Sequence, residues 1–215
     1  MKDIELIIFD LDGTLVDSVK DIAEAVNHTL RKLGVEEKSH GEIKSLIGTG
    51  AEDLIKKSID TKTDCCLEDA LSLMSEYYRG HSLDNTRLFP GVRETLDYFA
   101  QKRKAIITNR QRGFAVQTLK GLGIYDYFEE ITGGDNLGCM KPSSCPLEGA
   151  MHGFGVKRSK TIMVGDMNID ILAGKKAGVA TCGVTYGIGE KEDILEAGPD
   201  FVIDSITGLK DIIRK

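Results

Sequence analysis

No stretch of this 215-residue chain approaches the ~20 consecutive apolar residues of a membrane-crossing helix, and no block of basic residues stands out. With 28 Lys and Arg against 34 Asp and Glu the formal charge is −6, which argues against nucleic acid or an anionic membrane as partner and leaves room only for a local basic pocket. Paired CxxC spacing is also missing. The five cysteines, Cys65, Cys66, Cys139, Cys145 and Cys182, form an odd set that predicts reduced thiols rather than a disulfide framework or a zinc site, with the Cys65-Cys66 adjacency incidental. There is no internal repeat, no low-complexity tract and no leader-like segment ahead of the first charged strand. These absences predict a globular protein of the cytoplasm, long enough for one full-sized domain or one domain carrying a smaller insertion.

What is present is an alternation. From about Lys104 onward, short apolar runs ("KAIIT", "FEEIT", "TIMVG", "TCGVT", "DFVI") take turns with amphipathic stretches such as "RGFAVQTLKGLG", "PLEGAMHGFG" and "IDILAGKKAG". Strand then helix, repeated, predicts a parallel sheet with crossover helices, and residues 3–9 read as one more strand of it. Gly123, Gly155 and Gly178 stand where helices should close through a left-handed turn. Between about Val16 and Leu88 no convincing strand is found. There the apolar residues follow helical spacing: Ile22, Ala25, Val26, Leu30 and Leu33, then Leu54 and Ile55, then Leu71, Met74 and Tyr77 or Tyr78. The predicted fold is α/β, a Rossmann-like parallel core of residues 1–15 and 86–215 with helices on both faces, plus an inserted all-helical cap over 16–85. Its two connections are expected to act as hinges.

Ligands of an open parallel sheet bind beyond the carboxyl ends of its strands. Strand 3–9 is followed by Asp10, Asp12, Gly13 and Thr14, strand 104–107 by Thr108 and Asn109, and strand 161–164 by Gly165, Asp166 and Asp170; Lys141 sits in the loop after "EEIT". Asp10 and Asp12 repel each other and resist burial, so some partner must offset them. Asp10 and Asp166 are hard oxygen ligands suited to Mg²⁺, while Thr108 and Lys141 provide a hydroxyl and a cation for phosphoryl oxygens. With the repulsion screened, one aspartate can attack phosphorus to form an aspartyl-phosphate. The other can protonate the leaving alkoxide and later take a proton from water.

In this order the four segments resemble the motifs of the haloacid dehalogenase-like hydrolase superfamily: "DLDGT" at 10–14, "TN" at 108–109, Lys141 in "KP", and "GDMNID" at 165–170. "SLIGTGAEDLI", "LFPGVRETL" and "GVTYGIG" resemble its phosphoglycolate phosphatase-like branch, so the likeness spans nearly the whole chain. The resemblance implies that Asp10 is the nucleophile and Asp12 the general acid and base, its backbone carbonyl also meeting Mg²⁺. It implies that Thr108, with Asn109 nearby, holds the phosphoryl group, that Lys141 steadies the charge, and that Asp166 binds Mg²⁺ with Asp170 as a support or weaker ligand. Gly48, Thr49 and Gly50 would lie in a cap loop that covers the substrate. Arg110 stands where a lysine is common, "KPSSCP" spaces its prolines unusually, and Met167 replaces a frequent serine.

The implied activity is Mg²⁺-dependent hydrolysis of a small phosphorylated metabolite, with 2-phosphoglycolate the first compound to test. A phosphomutase of the β-phosphoglucomutase type and an inorganic pyrophosphatase are the alternatives. A dehalogenase fits poorly because Asp12 is retained, and a non-catalytic binding protein fits poorly because no reacting group is lost. Of the remaining features, His28, His40, His81 and His152 are scattered, Tyr77 and Tyr78 read as packing, and Tyr186 reads as a loop anchor. Arg110 reads equally as an anion contact or as a solvated loop residue.

Overall fold

The computed structural model describes residues 1–59, 66–135 and 137–215. The chain opens with β1 (Leu6–Phe9) and the two-residue β2 (Val16–Asp17), then runs through α1 (Val19–Lys32), α2 (His40–Leu46), α3 (Ala51–Ser58) and α4 (Leu67–His81) before returning by β3 (Arg87–Leu88). Helix and strand then alternate: α5 (Val92–Tyr98), β4 (Arg103–Ile107), α6 (Arg112–Gly121), β5 (Glu130–Thr132), α7 (Cys145–Phe154) and β6 (Thr161–Gly165). The chain closes with α8 (Asn168–Ala177), β7 (Ala180–Val184), α9 (Lys191–Glu196), β8 (Phe201–Ile203) and α10 (Leu209–Ile212).

Six strands form one parallel sheet in the order β5-β4-β1-β6-β7-β8. Every residue of the central β1 is buried because both sheet faces are covered, which is why "LIIF" carries no polar alternation. Leu6 and Ile8 pack with Leu147 and Ala150 of α7 and Ala173 and Ala177 of α8. Ile7 and Phe9 join the opposite cluster with Leu96 of α5, Leu119 of α6 and Leu209 of α10. The α/β fold with helices on both faces is therefore as predicted. Strand order reverses at β1, which has β4 on one side and β6 on the other. The loops after these three strands consequently converge on one crevice. Gly123, Gly155 and Gly178 take φ values of 65°, 65° and 70°, the left-handed conformation expected of them.

The helices α1 to α4 bury a core of their own, made of Ile22, Ala25, Val26, Leu30, Ile43, Leu54, Ile55, Ala70, Met74 and Tyr78. Most of the stripes predicted from spacing are thus buried, Leu33 and Leu71 being only partly buried against this core and Tyr78 rather than Tyr77 facing it, and α2 starts at a capping box between Ser39 and Glu42. The two connections to the sheet do contain strands, contrary to expectation. Val16 and Asp17 pair antiparallel with Leu88 and Arg87, a ladder too short to leave a period in the sequence. Beside it the Asp21 carboxylate accepts from Asn85 N (3.0 Å), Thr86 N (2.8 Å) and Thr86 Oγ1 (2.7 Å). Burial pushes this carboxyl upward, but the donors outweigh it and hold the pKa below the usual value. The entry and exit of the helical segment are thereby tied together.

The expectation of reduced thiols is overturned at one place, where Cys139 and Cys145 form a disulfide with a Cα–Cα distance of 5.3 Å. A search for CxxC spacing misses it because the chain doubles back through residues 140–144, bringing the end of a short 3₁₀ turn against the first residue of α7. Cys66 (exposed) and Cys182 (buried) are free thiols, and Cys65 lies outside the described residues. Among the described residues no helix is long and apolar enough to cross a membrane.

Candidate active site

Asp10 follows β1, and Asp166 and Asp170 lie after β6; all three are buried, with one oxygen of each within 4.8 Å of the others. The Lys141 ammonium reaches the group from the loop before α7, at 2.6 Å from Asp10 Oδ1 and 2.7 Å from Asp170 Oδ1. Burial drives the Asp10 carboxyl well above its ordinary pKa; Lys141 opposes this, while Asp170 and Asp166 reinforce it. Asp166 is pushed up to about 7 by burial and by Asp170, against the pull of Thr14 and of the Ile188 and Gly189 amides. Lys141 is raised, because Asp10 and Asp170 outweigh the effect of burial.

Three carboxylates facing one ammonium make an anionic cluster that suits a hard divalent cation. Asp170 Oδ1 supports that fit. It is buried, its one close cation among the described residues is the Lys141 ammonium that it shares with Asp10, and a single cation leaves the three carboxylates short of positive charge. Asp166 is held for the task from two sides, Oδ1 accepting from Thr14 Oγ1 (2.7 Å) and Oδ2 from Ile188 N (2.8 Å) and Gly189 N (3.3 Å). Gly13, at φ 85°, permits this approach, because a Cβ there would run into the Asp166 carboxylate.

Asp12 stands apart from the cluster. Its Oδ1 accepts from Ser18 Oγ and from Arg110 Nη2, and Arg110 Nη1 also donates to Thr118 Oγ1 (3.0 Å). Arg110 is buried; burial alone would lower its pKa, but Asp12, Tyr78 and Asp10 raise it. Thr108 Oγ1 accepts from Arg110 N (3.1 Å), which leaves its O–H to donate elsewhere. Asn109 clips two loops together: Oδ1 accepts from Lys141 N (3.0 Å), while Nδ2 donates to Lys141 O (2.9 Å) and to Gly48 O (2.9 Å).

These groups open into a cavity of about 90 Å³ between the sheet edge and the helical segment. Asp10, Asp12, Thr108, Asn109, Arg110 and Lys141 line one side, and Ile22, Ile47, Leu54, Met74 and Tyr78 the other. Of the loop expected over the substrate, Gly48 and Gly50 line the cavity, whereas Thr49 is exposed and donates to Asp53 at the start of α3. Met167 also lines it and lies against Gly48, where a Cβ would strike its side chain. Tyr186 is a loop anchor, its hydroxyl donating to Thr14 O (2.8 Å).

The family model described as Haloacid dehalogenase-like hydrolase matches residues 7–184, a span that holds Asp10, Asp12, Thr108, Asn109, Lys141, Asp166 and Asp170. The chain belongs to this family. Among haloacid dehalogenase-like hydrolases, a phosphoglycolate phosphatase of Vibrio parahaemolyticus is 38% identical, covering 99% of this chain and 97% of its own, and one of Colwellia psychrerythraea is 38% identical over 97% and 96%. A crystal structure of a predicted phosphoglycolate phosphatase from Haemophilus somnus superposes with a TM-score of 0.93 at 30% identity, covering 99% of each chain.

Several residues at the site gave little sign of their place. Ser18 was legible only as part of a hinge, yet it bonds Asp12. Arg110 carried no indication that its partner would be Asp12, 98 positions away. Tyr78, read as packing, also lines the cavity, and the only available signal was its place at the end of the last helical stripe.

Proposed function

We propose that the protein is a Mg²⁺-dependent phosphomonoesterase of the phosphoglycolate phosphatase type, with residues 16–85 as the cap over a core of 1–15 and 86–215. The observation that carries the reading is the buried cluster of Asp10, Asp166 and Asp170 with Lys141 bridging two of its members. Relatives 38% identical over almost the full chain support the substrate class.

Asp10 is the nucleophile. Lys141 holds its Oδ1, so Oδ2 attacks phosphorus as the ester P–O bond breaks. Thr108 O–H and Lys141 hold phosphoryl oxygens while charge redistributes. Asp12 donates a proton to the leaving alkoxide, then takes one from the water that attacks the aspartyl-phosphate and releases phosphate, restoring Asp10. The recorded hydrogen bonds to Asp12 both fall on Oδ1, so Oδ2 remains for these transfers. Mg²⁺, held by the Asp10 and Asp166 side chains, the Asp12 carbonyl and the supporting Asp170, would neutralise the carboxylates and polarise the phosphoryl group. The apolar cap wall excludes bulk water around these charges.

The test is release of inorganic phosphate from 2-phosphoglycolate and from an aryl phosphate, with and without Mg²⁺. Metal-dependent turnover is expected, with a loss of about 10⁴-fold or more in Asp10→Asn. Turnover that is indifferent to metal and to Asp10→Asn would sink the proposal.

A further inference from the structure

The core side of the cavity carries one cation beyond the one committed to the nucleophile. The Arg110 side chain, 8% exposed, lines the cavity and makes two side-chain hydrogen bonds, to Asp12 and to Thr118 Oγ1. A guanidinium has more N–H donors than these two acceptors satisfy. Tyr78 of α4 lies against it, its ring centroid 5.2 Å from the Arg110 guanidinium carbon. The Tyr78 side chain is buried and its hydroxyl has no hydrogen-bond partner. Two neighbouring donor groups with spare capacity therefore lie side by side on one cavity, where a single acceptor can reach both.

The rest of the wall narrows what can satisfy them. Beyond Ser75 and Gln111 it is made mostly of Ile22, Ile47, Leu54, Met74 and Phe114, which offer no hydrogen bonds, and about 90 Å³ is little room. A sugar phosphate brings more hydroxyls than Ser75 and Gln111 can pair, and each one left over carries a desolvation cost. A planar carboxylate fits the guanidinium fork, accepts from the tyrosine hydroxyl as well, and brings the negative charge that a buried cation favours.

We propose that Arg110 and Tyr78 form the subsite that selects substrates bearing a carboxylate close to the phosphoester, Arg110 pairing with that carboxylate and Tyr78 donating to it when the cap is in place. The proposal rests on the phosphatase reading and deepens it by naming what distinguishes the substrate. Arg110 then touches both substrate and Asp12, which sets the carboxylate end of the substrate beside the group that protonates the leaving oxygen.

Binding separates this from turnover. In the Asp10→Asn protein with Mg²⁺, calorimetry should show 2-phosphoglycolate binding about 10- to 100-fold more tightly than ethyl phosphate, which has the ester but no carboxylate. Adding Arg110→Gln should bring the two ligands within about 3-fold by weakening 2-phosphoglycolate alone. Tyr78→Phe, which keeps the ring, should reduce the preference in the same direction by a smaller factor and stands in if Arg110→Gln does not fold. Equal affinity for the two ligands at the outset, or equal weakening of both by Arg110→Gln, overturns the proposal. An unchanged preference in Tyr78→Phe removes the tyrosine from it. None of these readings requires turnover, so failure of the phosphatase reading would be seen separately, in the absence of metal-dependent phosphate release.

Discussion

The two walls of the cavity are built on opposite terms. At the sheet edge nearly every group is polar, buried and fixed by partners far away in the chain, as with Lys141 on Asp10 and Thr14 on Asp166. The helical wall is mostly Ile22, Ile47, Leu54 and Met74, side chains that hold nothing by direction and act through shape. Parallel strands explain the first wall, because their ends deliver residues to fixed points. A helical layer with its own core explains the second, since most of its inner face is apolar and meets the polar groups opposite through Tyr78 and Gly48. The proposed function gives chemistry to one wall and fit to the other, and the contrast can be tested residue by residue.

The largest effect should come from the sheet edge. Lys141→Met leaves Asp10 and Asp170 without their shared cation, and kcat on 2-phosphoglycolate should fall about 10³-fold. A rise in KM with kcat intact would erase the proposed division. An intermediate effect concerns metal and pH. Asp166 is raised to about 7 in the folded protein against an ordinary 3.8, so the native state keeps a proton that the unfolded chain has released. Its contribution to stability is complete below ~4 and is lost as pH rises through about 7. Without metal, Tm should therefore drop by roughly 5 °C or more between pH 4 and pH 8, and saturating Mg²⁺ should flatten the upper part of that decline. A pH profile identical with and without Mg²⁺ would count against the carboxylate cluster as the metal site. The smallest effect belongs to the helical wall: Ile47→Ala should raise KM about 3- to 10-fold with kcat nearly unchanged. A collapse of kcat there would show that the cap wall shares in the chemistry.

Which parts were legible in the sequence follows from the same contrast. Asp10, Thr108 and Asp166 could be placed together because each follows a strand of a recognisable parallel sheet, and strand ends obey a rule of topology. Lys141 could be placed by its order among them. The Cys139–Cys145 bridge could not, because it depends on how a loop turns and not on a period. Arg110 gave its charge but not its partner, which is set by side-chain reach across the crevice. Tyr78 belongs to a regular helical stripe, and nothing in the stripe distinguishes a ring inside the cap core from one that also faces the cavity. Thr49 shows the reverse case, a residue adjacent to lining glycines whose own side chain turns to Asp53. At two residues, β2 and β3 are below the length at which any pattern exists.

Asn109 gives the arrangement one further property. The same amide that grips both sides of the Lys141 peptide also holds the carbonyl of Gly48 from the helical segment. One side chain therefore sews three segments distant in sequence into a single seam, so replacing it by alanine would cut the loop of residues 48–50 and the Lys141 loop loose from each other at once.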